Sequence, residues 1–227
     1  MQRVKIAIKL GGFSFPLELD AGKIRAYANL ISGVQREGNQ LVVVTGGGKN
    51  ARKYIDAARK LGASEAFCDH IGILVTRLNA KLLITSLGND AYPEVPESLE
   101  ELRRVFQLGK IVVMGGLQPG HSTNAVAALA AETIGASILI NATNVDGVYT
   151  TDPKKDPKAT KFSEISTEKL SIVVSQHNEA GSYELMDSVA VKVIERSHIP
   201  AWVISGETPE NIARVLKGEH VGTKITS

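Results

Sequence analysis

The chain has 227 residues, with hydrophobic side chains at 43% and charged ones at 22%, the make-up of a globular protein that buries a core rather than a disordered one. Its 26 basic and 24 acidic residues leave a formal charge of +2, too small for a broad nucleic-acid or anionic-membrane footprint. The single Cys68 excludes an internal disulfide framework and a cysteine-rich zinc module. With no uninterrupted apolar run of about 18 residues and no signal-peptide-like start, the sequence reads as one soluble domain in a reducing cytoplasm.

Aromatic residues are scarce, and short β-branched runs alternate with longer amphipathic ones, so an α/β fold with a mainly parallel sheet is expected. Val4, Ile6, Ile8 and Leu10 alternate with Lys5, Ala7 and Lys9. This two-residue period predicts a strand with one face well buried, and it sets Lys9 on the opposite face near the strand's end. Asp20 suits the cap of a helix over 21–37, which Gly38 stops. A strand over 41–45, a helix over 50–61 and a long helix over 71–87 come after it. Residues 96–108 read as a helix opened by a proline and an acidic turn. The strand 111–114 leads to an alanine-rich helix over 123–134, with Ser122 or Thr123 as its cap. Next come a strand over 137–141, a polar turn over 142–147 and a loop rich in Lys, Asp and Pro to about 161. Helices over 167–174 and 183–197, a strand over 201–205 and a helix opening at Pro209 complete the chain.

The informative feature is the stretch of chain directly after each strand. The first strand runs into Gly11-Gly12, the second into Gly46-Gly47-Gly48, the strand 111–114 into Gly115-Gly116, and the strand 137–141 into Thr143-Asn144-Val145-Asp146-Gly147. Backbone without side chains at several strand ends can turn tightly and approach a ligand closely. In parallel α/β sheets ligands bind beyond the carboxyl ends of the strands, where helix N-termini add free N–H groups. Clustered donors with Lys9, Lys49 and Arg52 near the turns, and Arg77 further on, suit a polyanion such as a nucleoside triphosphate.

The common nucleotide motifs are absent. Gly46-Gly47-Gly48-Lys49-Asn50 has neither the spacing nor the hydroxyl of a P-loop, and Gly11-Gly12-Phe13-Ser14 does not continue a dinucleotide fingerprint. The protein-kinase signatures and the Gly-x-Ser-x-Gly elbow are missing too. His70, His121, His177, His198 and His220 never fall at metal-ligand spacing; His121, just before a helix start, is the one placed for a substrate contact.

Taken in order, Ile8-Lys9-Leu10-Gly11-Gly12, Val44-Thr45-Gly46-Gly47-Gly48, Met114-Gly115-Gly116 and Thr143-Asn144-Val145-Asp146-Gly147-Val148-Tyr149 resemble the amino acid kinase superfamily. Asp69-His70-Ile71-Gly72-Ile73, Thr76-Arg77-Leu78-Asn79-Ala80, Pro119-Gly120-His121-Ser122-Thr123 and Glu184-Leu185-Met186-Asp187 extend the likeness to its compact archaeal-type uridylate kinases, over about 4–222. The resemblance implies a three-layer αβα sandwich around a central, mainly parallel sheet. It implies one domain, with the acceptor held by about 1–135 and ATP by about 136–227. The implied reaction is phosphoryl transfer from MgATP to UMP, in a cytoplasmic homo-oligomer, a hexamer by likeness.

Carried over to this sequence, Lys9 is the lysine that bridges the phosphates in the transition state, and Leu10, Gly11, Gly12 and Phe13 form the first turn at the donor phosphates. Gly48 and Arg52 lie on the ATP side, and Thr143, Asn144, Tyr149 and Asp152 match the ATP nucleoside site. Gly47, Asp69, Leu117, Gln118, Pro119, Gly120, His121, Ser122 and Thr123 match the UMP pocket, with Asp69 accepting from the ribose hydroxyls. Asp146 is expected to orient Lys9 or a metal-bound water. Phe13 departs from the family, where a small hydroxyl residue is common, so only its backbone suits a phosphate. No paired carboxylates form an evident magnesium cage, and Mg²⁺ is expected to be held by phosphates and water rather than by dedicated protein ligands. Kinases of the superfamily acting on N-acetylglutamate, carbamate or isopentenyl phosphate, or a non-catalytic nucleotide-binding module, are the alternatives.

Overall fold

The strands Lys5–Leu10 (β1), Gln40–Thr45 (β2), Val112–Met114 (β3), Ile138–Thr143 (β4), Glu164–Ser166 (β5), Ala201–Ser205 (β6) and Thr223–Thr226 (β7) form one sheet. Their spatial order is β3-β2-β1-β4-β6-β7-β5. This is a computed structural model, describing residues 4–153, 156–176 and 186–226. The first five strands of that order run parallel; β7 pairs antiparallel with β6 and parallel with β5.

The sheet is covered on both sides. Ile6, Ile8, Leu10, Leu41, Val43, Ile140 and Ile204 pack against the helices Ala21–Arg36 (α1), Glu65–Leu87 (α3) and Glu210–Leu216 (α8). Ala7, Val42, Val44, Leu139 and Val203 face the helices Leu99–Phe106 (α4), Thr123–Ile134 (α5), Thr167–Gln176 (α6) and Ser188–Ser197 (α7). The remaining helix, Gly48–Lys60 (α2), packs on α3 beside the end of β1. This is the expected three-layer sandwich, with the hydrophobic effect acting on both faces of the sheet.

β1 corrects one expectation. It is buried on both faces, because it is an interior strand flanked by β2 and β4, and its alternation separates two cores instead of core from solvent. Lys9 therefore lies on the α5–α7 side and is only 8% exposed.

Most helix starts are set by side-chain caps. Asp20 accepts from the Lys23 N–H at the start of α1, and Ser122 from the Asn124 and Ala125 N–H groups at the start of α5. Several helices start elsewhere than the periodicity predicts; α2 begins at Gly48, two residues before Asn50. α3 begins six residues before Ile71, at Glu65, because Ser64 caps it by accepting from the Phe67 N–H. α4 begins at Leu99 rather than Pro96, because Ser98 accepts from the Glu101 N–H while the Glu101 carboxylate accepts from the Glu97 N–H. α7 starts at Ser188, capped by Asp187; positions 183–185 of its expected span lie outside the described residues.

Candidate active site

The strand order decides where the ligand edge lies. From β1 the chain steps outward through β2 to β3, then returns to lay β4 on the other side of β1. That reversal is a topological switch point, and it opens a crevice beyond the carboxyl end of β1. All four glycine or polar turns noted in the sequence, and a fifth at Gly206 after β6, leave the same edge of adjacent parallel strands. The Gly206 turn is not among those singled out from the sequence, though its signal, a glycine directly after a β-branched run, is the same as at the others.

Two of the turns touch backbone to backbone. A Cβ on Gly12 would lie 2.1 Å from the Gly48 Cα. Gly48 itself has φ +64°, and a Cβ there would lie 2.5 Å from the Gly12 oxygen. Only glycine fits either position. The Gly11 N–H donates to the Ala142 oxygen and the Gly46 N–H to the Leu10 oxygen, so the turns after β1, β2 and β4 form one hydrogen-bonded rim.

α2 opens on this rim, and it differs from its neighbours. Side chains cap α1, α3, α4, α5 and α7, whereas Gly47 provides no side-chain cap for α2. Its first two turns carry Lys49, Arg52 and Lys53 and no acidic residue in the first, cations placed against a helix end that is already positive. Both features suit an anion as the missing cap.

Lys9 is the next-to-last residue of β1, just below the crevice. Burial pushes its ammonium down to about 8, and the Asp187 carboxylate pulls the other way. Among the described residues the ammonium makes no hydrogen bond, so its charge is held out of water with one opposite charge facing it. Asn141 lies next to it in the β1–β4 register, its amide donating to Asn124 of α5. Asp187 also receives the Ser122 hydroxyl and the Val189 and Ala190 N–H groups, which fastens the first turn of α7 to that of α5 beside Lys9.

Asp146, expected to orient Lys9 or a metal-bound water, has its carboxylate held by Tyr149 and Lys161: it accepts from Tyr149 Oη at 2.7 Å and pairs with Lys161 Nζ at 2.8 Å. Burial works to raise this carboxyl, but the hydrogen bonds from Lys161 and Tyr149 outweigh it and hold it below the usual range. The hydrogen bond to Asp146 in turn pushes Tyr149 up to about 12. Asp187 is the carboxylate that faces Lys9. In the sequence it falls inside the helix expected over 183–197 and in the Glu184-Leu185-Met186-Asp187 segment of the resemblance, with no role assigned to it; the structure makes it the cap of α7.

The other predicted residues divide along the sheet. On the β2–β3 side, Asp69 of α3 accepts from the Gly120 N–H at 2.9 Å, which draws it to the 117–123 loop. Gln118 Nε2 and His121 Nε2 lie 3.3 Å apart in that loop, Ser122 caps α5, and Thr123 begins it. On the β4–β6 side, Thr143 donates to Asn144 and its carbonyl accepts from the Gly206 N–H. Tyr149 and Asp152 come next on the same side, and the Asp152 carbonyl accepts from the Asp156 N–H. Leu10 contributes backbone alone, since its side chain is in the core. The Phe13 ring fills the space over Gly206, edge-on to Tyr27 at 6.3 Å with Lys23 Nζ 5.1 Å from its centroid. The site thus has a half on each side of β1, with Lys9 between.

Residues 5–205 match the amino acid kinase family. The chain is 47% identical to the uridylate kinase of Hyperthermus butylicus, with 100% of both chains covered. It is 50% identical to that of Archaeoglobus fulgidus, over 98% of this chain and 100% of the relative. The crystal structure of the Archaeoglobus fulgidus enzyme superposes with a TM-score of 0.86, covering 99% of this chain and 100% of that one at 48% identity.

Proposed function

The chain belongs to the amino acid kinase family, and from that membership together with the site we infer a uridylate kinase: it transfers the γ-phosphoryl group of ATP to UMP, giving UDP and ADP. The observation that carries this reading is the buried, charged Lys9 at the switch point, between two half-sites whose turns interlock. We place UMP on the β2–β3 half, against Gly47, Asp69 and 117–123, and ATP on the β4–β6 half, against Thr143, Asn144, Tyr149 and Asp152.

Phosphoryl transfer asks the protein mainly to position two polyphosphates and to offset their repulsion. The Gly11-Gly12 and Gly47-Gly48 turns let phosphate oxygens approach main-chain N–H groups, and the uncapped start of α2 adds its own donors and dipole. Lys9 meets the transferring group from below. Its ammonium is already desolvated and held on a strand, so little reorganisation is needed when charge develops between donor and acceptor. Asp69 can turn its carboxylate from the Gly120 N–H to a ribose diol, a pairing of two hydroxyl donors with one acceptor-only group.

Mg²⁺ is proposed to enter with ATP. Among the described residues no three His, Cys, Asp or Glu side chains gather into a protein cage, which suits an ion held mainly by phosphate oxygens and water. Asp146 would face its hydration shell, since the half-exposed pair with Lys161 is readily exchanged. The ion would add neutralising charge at the donor phosphates.

We also propose a cytoplasmic homo-oligomer, in line with the hexamer expected by resemblance. α3 is apolar on two faces: one packs on the sheet, while Phe67, Leu74, Leu78 and Leu82 form an outward stripe, Phe67 being 55% and Leu78 64% exposed. Mass in solution tests the assembly. A coupled ADP-release assay with a panel of acceptors tests the activity, and the expected result is turnover of UMP. Turnover of N-acetylglutamate, carbamate or isopentenyl phosphate with none of UMP would overturn the assignment.

A further inference from the structure

One face of α3 runs alongside the acceptor loop and holds it at successive points. Asp69, Ile73, Thr76 and Arg77 share that face at helical spacing. Asp69 takes the Gly120 N–H, and Thr76 Oγ1 accepts from the Gly116 N–H at 2.6 Å while donating to the Ile73 carbonyl. Arg77 completes the set. Its Nε donates to the Gly116 carbonyl at 3.1 Å, its Nη2 to the Leu117 carbonyl at 3.4 Å, and its Nη1 pairs with Glu97 at 2.7 Å.

The approach is close because Gly115 has no side chain: a Cβ there would stand 2.7 Å from the Arg77 nitrogen. The Arg77 side chain is only 17% exposed, against 65% for Glu97, so its cation sits among main-chain oxygens rather than in water. A guanidinium presents several donors in one rigid plane and can hold three acceptors at once, which an ammonium on a flexible stem cannot reproduce. Peptide planarity carries the constraint onward. Fixing the carbonyls of Gly116 and Leu117 also fixes the N–H groups of Leu117 and Gln118, which point the opposite way. Neither N–H has a hydrogen-bond partner among the described residues.

We propose that Arg77 is a positioning residue for the acceptor: acting through the 116–117 backbone, it sets the shape of the UMP pocket and touches neither phosphate nor the reacting atoms. The proposal rests on the placement of UMP given above. A structural role alone would lower stability and both substrates' kinetics together, whereas a positioning role separates them.

The test is steady-state kinetics of wild-type protein, Arg77→Met and Arg77→Lys, varying UMP at saturating ATP and ATP at saturating UMP, with a melting curve for each. Arg77→Met loses two charge-assisted hydrogen bonds to the loop, and its KM for UMP is expected to rise at least about tenfold, with KM for ATP and kcat within about threefold of wild type. Arg77→Lys keeps the charge and reaches one carbonyl, and is expected to fall between the two. If Arg77→Met does not fold, Arg77→Lys carries the same reading. An unmoved KM for UMP in the folded variants, or a parallel change for both substrates, overturns the proposal. Wild-type protein that does not use UMP overturns the acceptor assignment itself, which separates the two failures.

Discussion

Replacing Lys9 by methionine should stabilise the unliganded protein while removing most of its activity. Burial lowers the ammonium from 10.5 in the unfolded chain to about 8 in the fold. Holding the charged form in place therefore costs about 3 kcal/mol at neutral pH. The sign comes from proton counting. Below pH about 8 both states carry the proton and the full penalty is present; between about 8 and 10.5 the unfolded chain binds more protons, so stability rises with pH; above 10.5 this group contributes nothing. Methionine is of similar length and needs no hydration, and the residual edge exposure of Lys9 reduces the gain to about 1–3 kcal/mol, or several degrees in Tm for a chain of this size. Chemical denaturation of both proteins from pH 7 to pH 10.5 provides the measurement. The Met variant should be the more stable at pH 7, with the difference vanishing toward pH 10.5. Its turnover of UMP should drop by at least about 100-fold, the scale for losing one preorganised charge at the transferring group. A variant that is less stable at pH 7, or that turns over within a few-fold of wild type, would falsify the assignment of a desolvated catalytic cation.

Asp187→Asn keeps the cap of α7 but removes the charge facing Lys9, so the Lys9 pKa should fall further and the alkaline limb of kcat/KM should move to lower pH; an unmoved limb would show that this carboxylate does not tune the lysine. Gly12→Ala would drive a methyl group into the Gly48 backbone 2.1 Å away, and should lower stability by at least about 2 kcal/mol in denaturant titration, with turnover falling in parallel. Wild-type stability in that variant would mean that the two turns separate at little cost. Asp69→Asn leaves an acceptor for the Gly120 N–H but loses the ionised carboxylate, so KM for UMP should rise about tenfold while KM for ATP stays put, read from initial rates. An increase confined to ATP would reverse the assignment of the two half-sites.

Local signals are sufficient for much of the chain. The two-residue alternation over 4–10, the β-branched runs at 41–45 and 201–205, Asp20 before α1 and Ser122 before α5 are each decided by neighbours a few residues away. The glycine turns are legible for the same reason, as is Lys9 at a strand's end. β5 and β7, of three and four residues, are not: each is an edge-region segment too short for a period, and pairing alone makes it a strand. The early start of α3 is hidden because Asp69 and His70 interrupt the apolar pattern that the Ser64 cap then overrides.

The alternation of strands and helices and the bare, glycine-rich ends of the strands are written locally in the chain, because propensity, capping and steric freedom act over a turn or two. Strand order, and with it the crevice at the end of β1, came only from tertiary structure. So did the placement of Asp187, 178 positions away, as the carboxylate whose charge acts on Lys9 against its burial, while Asp146 pairs with Lys161. Charge pairing and desolvation depend on distance in space, and that distance is set by how both sheet faces bury their apolar residues together.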